Sequence, residues 1–220
     1  MFPLMSKIIF LGPTLKLERA QEILEAEYRP PAKKGDFLRL ATLSEGKHQV
    51  GLIDGVFLHD YPPSPIEVYQ VAQRANIVLA GSSSLGALRA VELEKFGMRG
   101  IGRVFELFKK GILYADDEVA VTYWQDENRL QSEAMIDIRF NLFLGKKKRI
   151  IDEECRKLLT RQAKWLYFPH RSYETIINIC QKENPLLREQ LEKFRSYVNE
   201  NRESIKARDA IKLLEYFKTL

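Results

Sequence analysis

The chain has 220 residues, of which 45% are hydrophobic and 30% charged, an ordinary composition for a globular protein with a sizeable core. No apolar run approaches about 18 residues, and the first residues lack the features of a signal peptide, so we expect a cytoplasmic protein without a membrane span. The net charge is +5, and residues 145–220 alone carry +7, with 18 Lys+Arg against 11 Asp+Glu. Without an aromatic platform, a zinc finger or a glycine-rich RNA motif, this excess does not indicate a nucleic-acid partner.

Apolar runs predict buried strands at residues 7–11 and 49–53. Gly12 and Pro13 close the first run, and Thr14 can then cap a helix that continues to about Ala26. The prolines that follow exclude further helix.

Asp54 directly follows the second of these strands. Polar residues just past the carboxyl ends of parallel strands line the ligand crevice of an open α/β sheet, so Asp54 is a candidate site residue. It is also a common residue type in a turn before a glycine such as Gly55. Further along, Ser64 predicts a helix N-cap, and Glu67 in the first turn suits the helix dipole.

A third strand, at residues 77–80, leads into three successive serines, Ser82, Ser83 and Ser84. A helical pattern follows at once, so the chain turns sharply from a strand into a helix. The amides at such a helix start can hold an anion or an oxyanion, and a serine there can be a nucleophile as in the G-x-S-x-G elbow. Ser82-x-Ser84-x-Gly86 fits that pattern except at its first position. Serines that only cap the helix are the alternative.

Asp116 and Asp117 lie in an acidic turn that leads into a fourth strand within residues 114–123. With Glu118 they could ligate Mg²⁺, but no second carboxylate motif has a matching spacing, and the pattern favours a capped, solvated turn. We therefore expect no metal site and no cofactor.

The remainder of the chain is helical in pattern. One helix covers residues 132–144, a basic link follows at 145–149, and further amphipathic segments fill the rest. Cys155 and Cys180 lie in these segments and are expected to be reduced core thiols.

The sequence thus predicts an α/β fold, a small and mostly parallel sheet of about four strands flanked by helices, with a C-terminal all-helical extension. We place the core domain at residues 1–145 and the extension at 146–220. Gly12, Asp54 and the serines all follow strands, so their loops are expected to converge on one site.

The chain resembles the TfuA-like protein family over about residues 7–123. The matching segments are FLGPT at 10–14, YRPPA at 28–32, GD at 35–36, IDGVF at 53–57, GSSSLGALRAVEL at 81–93, FGM at 96–98, GIG at 100–102 and DDEVAV at 116–121.

The resemblance implies a role beside YcaO enzymes, which activate a peptide backbone amide with ATP. TfuA-like proteins act as their partner when the amide oxygen of the peptide substrate is replaced by sulfur. The resemblance further implies sulfide delivery by hydrolysis of the thiocarboxylate at the tail of a ubiquitin-like sulfur-carrier protein, with a serine nucleophile paired with a lysine. Ser84 matches the family's serine. Where many members carry His-Lys-Glu, this chain has Ser64-Pro-Ile-Glu67, in which only Glu67 is retained. His59 or a neighbouring lysine would then have to supply the base.

Two hypotheses remain open, and with them the question of whether the protein is an enzyme. In the first, a serine-dependent thiocarboxylate hydrolase, Ser84 attacks the carbonyl, helix N–H groups near Gly86 hold the oxyanion, and Asp54 or Arg89 orients the substrate. Further residues are candidates for binding: Ser82, Ser83, Glu67, His59, Asp116 and Asp117. In the second, the protein is a non-catalytic adaptor that binds the YcaO enzyme and enhances its peptide binding. A nucleotide-binding module is disfavoured because G-x-x-x-x-G-K-[ST] is missing.

Overall fold

A computed structural model describes residues 6–43, 46–57, 61–124 and 129–220 of the chain. The chain divides into two compact units. Residues 1–114 and 206–220 form the first, which we call the sheet unit, and residues 115–205 form the second, the helical unit. The domain boundary after residue 145 that the sequence suggests stays a prediction.

The sheet unit contains a parallel β-sheet. Its strands are β1 Ser6–Phe10, β2 Glu27–Arg29, β3 His48–Leu52, β4 Ile77–Ser82 and β5 Arg99–Ile101. They lie in the order β2-β1-β3-β4-β5, and each neighbouring pair is parallel. The structure therefore confirms the predicted α/β fold with its parallel sheet.

Helices flank this sheet and form most of the helical unit. In the sheet unit they are α1 Leu17–Ile23, α2 Asp36–Ala41, α3 Pro65–Ala72, α4 Leu85–Leu93 and α5 Arg103–Lys109. In the helical unit they are α6 Met135–Lys147, α7 Glu153–Trp165, α8 Tyr173–Glu183 and α9 Arg188–Asn201. The last helix, α10, spans Ile205–Lys218.

Three local predictions are wrong. The helix after Thr14 begins only at Leu17 and ends at Ile23, and β2 occupies the segment just before the two prolines. The acidic turn forms a 3-10 helix at Asp116–Glu118 and does not lead into a strand of the parallel sheet. The next extended residues, β6 Tyr123–Trp124, pair antiparallel with β7 Arg129–Leu130 in a separate two-stranded sheet. The basic link at 145–149 is helical as far as residue 147, where α6 ends.

The C-terminal helix α10 completes the core of the sheet unit. Leu213 and Phe217 are fully buried and belong to one apolar cluster with Ile9 of β1. A Cβ atom at Gly51 would lie 2.9 Å from Leu213 and 3.0 Å from Phe217, so the glycine lets α10 approach β3 closely. Since a buried leucine or phenylalanine contributes about 1.5–3 kcal/mol, this helix contributes strongly to the stability of the sheet unit.

The helical unit has its own apolar core. Helices α6 to α9 contribute to it, and it includes Cys155 and Cys180, both free and buried, as the sequence predicts. Arg171 is only 1% exposed and donates to the carbonyl of Asp117 at 2.8 Å and to its carboxylate at 2.5 Å. This buried guanidinium fixes the acidic 3-10 helix within the unit.

Candidate functional site

The loops after β1, β3 and β4 lie at the same edge of the sheet. Leu52 at the end of β3 pairs with Phe10 on one side and with Gly81 on the other, so the three loops begin at the same level. The strand order reverses at β1, which lies between β2 and β3. In open α/β sheets the ligand crevice forms at such a switch point. The fold thus brings together the loops that the sequence predicts to converge.

Asp54 bridges the loops that follow β3 and β1. It is 2% exposed, and its Oδ2 atom accepts hydrogen bonds from the N–H groups of Gly12 at 2.9 Å and Thr14 at 3.1 Å. Its Oδ1 atom accepts a third from the Thr14 hydroxyl at 2.5 Å. The carboxylate therefore takes up loop donors that a bound phosphate would need, which argues against a nucleotide site at this loop. A role for Asp54 in orienting a substrate stays a prediction.

Strand β4 passes into α4 through a strained turn. Ser83 has a φ of 66°, and the N–H of Ser84 donates to the carbonyl of Ser82 at 2.8 Å. Such a φ is uncommon in residues other than glycine and recurs at functional sites. Ser84 itself has a φ of −116°, so the strained residue is the neighbour of the serine that the sequence singles out.

The three serine hydroxyls have different environments. Ser82 and Ser83 are fully buried, and their hydroxyls lie 3.1 Å apart. The Ser83 hydroxyl also donates to the carbonyl of Lys206, at 2.8 Å. Ser84 is 3% exposed and occupies the N-cap of α4, but its side chain makes no capping hydrogen bond. Capping therefore does not explain the serine at position 84.

The backbone amides at the start of α4 also differ. The N–H of Gly86 donates to the carbonyl of Ile53 at 3.3 Å, and a Cβ atom at Gly86 would lie 1.7 Å from the carbonyl oxygen of Leu52. Gly86 therefore lets α4 lie directly against the end of β3, and its own N–H is engaged in the fold. Among the described residues, the N–H of Leu85 has no acceptor, so Leu85 presents the available amide in this turn.

Glu67 and Arg89 are engaged in the fold of the sheet unit. Glu67 is 5% exposed, and its carboxylate accepts a hydrogen bond from the N–H of Gly35 at 2.7 Å. The Ser64 hydroxyl accepts one from the N–H of Glu67 at 3.3 Å. Arg89 donates to the carbonyl of Pro63 at 3.0 Å and pairs with a glutamate one turn along α4. Both side chains hold neighbouring segments in place, and a direct contact with substrate stays a prediction for each.

The other candidates lie elsewhere. His59 is outside the described residues. Asp116 and Asp117 belong to the helical unit, where Asp116 is exposed and Asp117 binds Arg171 and Lys164. Burial raises the pKa of Asp117, but the hydrogen bonds from these two cations outweigh it and hold that pKa below its ordinary value.

Lys206 is a residue that the sequence does not single out. It lies in the first turn of α10 and is 3% exposed. Its carbonyl accepts a hydrogen bond from the hydroxyl of Ser83, which is 123 residues away in the chain. No spacing rule connects positions so far apart, so only the fold reveals this neighbour of the serines.

Two features are absent from the described part of the chain. No group of three or more His, Cys, Asp or Glu side chains there is arranged to hold a metal ion. None of the helices in that part of the chain is long and apolar enough to cross a membrane.

Comparison with known proteins identifies one family. The model of a family described as TfuA-like protein matches residues 54–172, which include Asp54, the serine turn and most of the helical unit. The match thus covers more than half of the chain. No curated protein matches the sequence.

Proposed function

Since the chain belongs to the TfuA-like family, an accessory family of YcaO-dependent peptide thioamidation, we propose that it delivers sulfide to its YcaO partner by hydrolysing a thiocarboxylated sulfur-carrier protein. Ser84 is the proposed nucleophile. The peptide substrate would meet this protein through the YcaO enzyme.

One observation carries this proposal: within the described part of the chain, neither the hydroxyl of Ser84 nor the N–H of the next residue, Leu85, has a hydrogen-bond partner. The other two hydroxyls and the Gly86 amide are engaged in the fold, as described above. In serine hydrolases with a strand-to-helix elbow, the N–H of the residue after the nucleophile is an oxyanion donor. Ser84 and Leu85 have that relation. This favours Ser84 over its neighbours as the nucleophile.

The proposed reaction has two steps. The Ser84 hydroxyl attacks the thiocarboxylate carbon, the oxyanion accepts the Leu85 N–H, and sulfide leaves as an ester forms between the carrier and the enzyme. Water then cleaves the ester and restores the serine. In sum, one water is consumed, the carrier ends in a carboxylate, and one hydrogen sulfide is released.

A base must accept the serine proton, and we assign this role to Lys206 within the proposal. Its burial and the bond between its carbonyl and Ser83 support the assignment. A neutral amine would take the proton from Ser84 and return it to the departing sulfur. Asp54 would act as a positioning residue, because it fixes the loop after β1 at the same edge of the sheet.

The test is sulfide release from a purified thiocarboxylated carrier. Ser84→Ala removes the nucleophile and is expected to lower the rate by roughly six orders of magnitude, since loss of a catalytic serine has effects of that size elsewhere. Ser82→Ala is the matched control, because it removes a neighbouring buried hydroxyl and should keep most of the activity. Sulfide release at the wild-type rate by the Ser84 variant would exclude the mechanism.

The burial of Ser84 favours a second candidate, a non-catalytic adaptor for the YcaO enzyme. A nucleophile that is 3% exposed must become accessible to a carrier tail, whereas an adaptor has no such requirement. The adaptor predicts that Ser84→Ala leaves thioamidation in the presence of the YcaO enzyme unchanged. It also predicts that charge reversals in the basic C-terminal helices prevent complex formation; a normal complex from such variants would contradict it.

A further inference from the structure

The helical unit contains a basic cavity of about 400 Å³. Helices α6 and α7 supply the cations and one indole that line it; the residues concerned are Arg139, Arg156, Lys157, Arg161, Lys164 and Trp165. Trp165 is 83% exposed. Five cations and an exposed aromatic ring around one concave surface are the features of a binding site for an anionic partner.

Part of this charge is neutralised within the unit. Glu118 accepts two hydrogen bonds from Arg139, at 2.9 and 3.0 Å, and a third from Lys164 at 3.0 Å. Arg156 pairs with Glu153. By contrast, the side chains of Lys157 and Arg161 have no ion pair or hydrogen bond to any described residue, and both residues are exposed. These two cations are therefore the ones available to a ligand.

A second hollow, of about 280 Å³, adjoins the first. Lys157 and Arg161 line both, so they form a ridge between them. Leu158 and Leu187 give the second hollow an apolar wall, and Glu154 gives it a negative charge. A polyanion with a charge on every unit would meet Glu154 unfavourably, whereas a peptide with spaced carboxylates and apolar side chains suits both hollows.

We propose that this ridge binds an extended acidic segment of a partner polypeptide. The two cations are four residues apart on α7, which places them about 6 Å apart along the helix axis. Carboxylates on alternate residues of an extended peptide are about 7 Å apart, a close match. Apolar side chains of the same segment would occupy the second hollow beside Leu187, and Trp165 would contact the segment in the first cavity. This inference goes beyond sulfide release and does not rest on it.

The test uses fluorescence anisotropy with the full chain and a labelled peptide that carries Glu-Ser-Glu with a leucine two residues to each side. The second probe replaces both glutamates by glutamine, and the third is single-stranded oligothymidine at the same salt concentration. The variant Lys157→Glu/Arg161→Glu reverses the ridge. The matched control, Lys95→Glu/Lys110→Glu, changes the net charge equally at exposed positions of the sheet unit.

We expect saturable binding of the glutamate peptide, weakened about tenfold or more by the ridge variant and less than about twofold by the control. Binding should also weaken as salt rises. Equal binding of the glutamine peptide, an unchanged ridge variant, or an equal loss in the control would overturn the proposal. Tighter binding of oligothymidine that the ridge variant abolishes would also overturn it, in favour of a nucleic-acid site. Sulfide release is not involved in any of these measurements, so they stand apart from the test of Ser84.

Discussion

Replacing Asp54 by asparagine tests whether the carboxylate holds the edge of the sheet together. The carboxylate accepts three hydrogen bonds, two of them from backbone N–H groups of Gly12 and Thr14. Asparagine keeps one acceptor oxygen for those N–H groups, and the Thr14 hydroxyl can rotate to accept from the new NH₂ group. What is lost is the negative charge, which strengthens each bond to a backbone N–H by about 1 kcal/mol.

The expected loss for Asp54→Asn is therefore about 2 kcal/mol. Asp54→Ala leaves both N–H groups without an acceptor in a buried site and is expected to cost about 4 kcal/mol. Native-state hydrogen exchange at the amides of Gly12 and Thr14 measures the loss directly, because it reports the free energy of opening at those groups.

Asp116→Asn is the matched control, since that carboxylate is exposed and belongs to the helical unit. It should leave the exchange of both loop amides unchanged. If Asp54→Asn alters their opening free energy by less than about 0.5 kcal/mol, the carboxylate does not hold the loop as argued.

Three further predictions concern packing and ionisation. Gly86→Ala places a methyl group 1.7 Å from the Leu52 carbonyl oxygen and should destabilise the sheet unit by about 3 kcal/mol or more. Urea unfolding followed by circular dichroism measures the loss of stability, and an unchanged unfolding midpoint would refute the prediction. Burial raises the pKa of Tyr28 to about 12 from 10.0, so folding favours the neutral phenol. The contribution of the neutral phenol to the free energy of unfolding is complete below pH 10 and is lost as the pH rises towards 12. The difference in unfolding free energy between wild type and Tyr28→Phe should therefore shrink over that interval, and a constant difference would contradict the assignment. Burial also raises the pKa of the Cys155 and Cys180 thiols to about 12, so Ellman's reagent at pH 8 should react with them only after unfolding, and rapid reaction with the native protein would show exposed thiols.

The sequence predicts the long elements of the sheet well and the short ones poorly. Strands β1, β3 and β4 have five or six residues, and each contains or adjoins a short apolar run of the kind that identifies a buried strand. Strands β2 and β5 have three residues each, with charged side chains and no alternation, so they carry no strand pattern. They become strands because neighbouring strands supply hydrogen-bond partners, which is a property of the fold.

The edge of the sheet that holds the candidate residues is predictable from the sequence, whereas the hydrogen bonds of the individual side chains there are less so. Polar residues after successive strands indicate the edge where Asp54 and Ser84 lie, because parallel strands end together. Which hydroxyls and amides are free depends on contacts between distant segments. The bond from Ser83 to Lys206 and that from Gly86 to Ile53 are examples, and no local pattern encodes either.

The most direct test of the proposed function is the covalent ester itself. Mixing the protein with a thiocarboxylated carrier, quenching with acid and measuring intact mass should detect an adduct equal to the sum of the two proteins minus hydrogen sulfide, and peptide mapping should place it on Ser84. The same experiment with Ser84→Ala should give no adduct. Sulfide release without any adduct in the wild type, or an adduct on another residue, would contradict the assignment of Ser84 as the nucleophile.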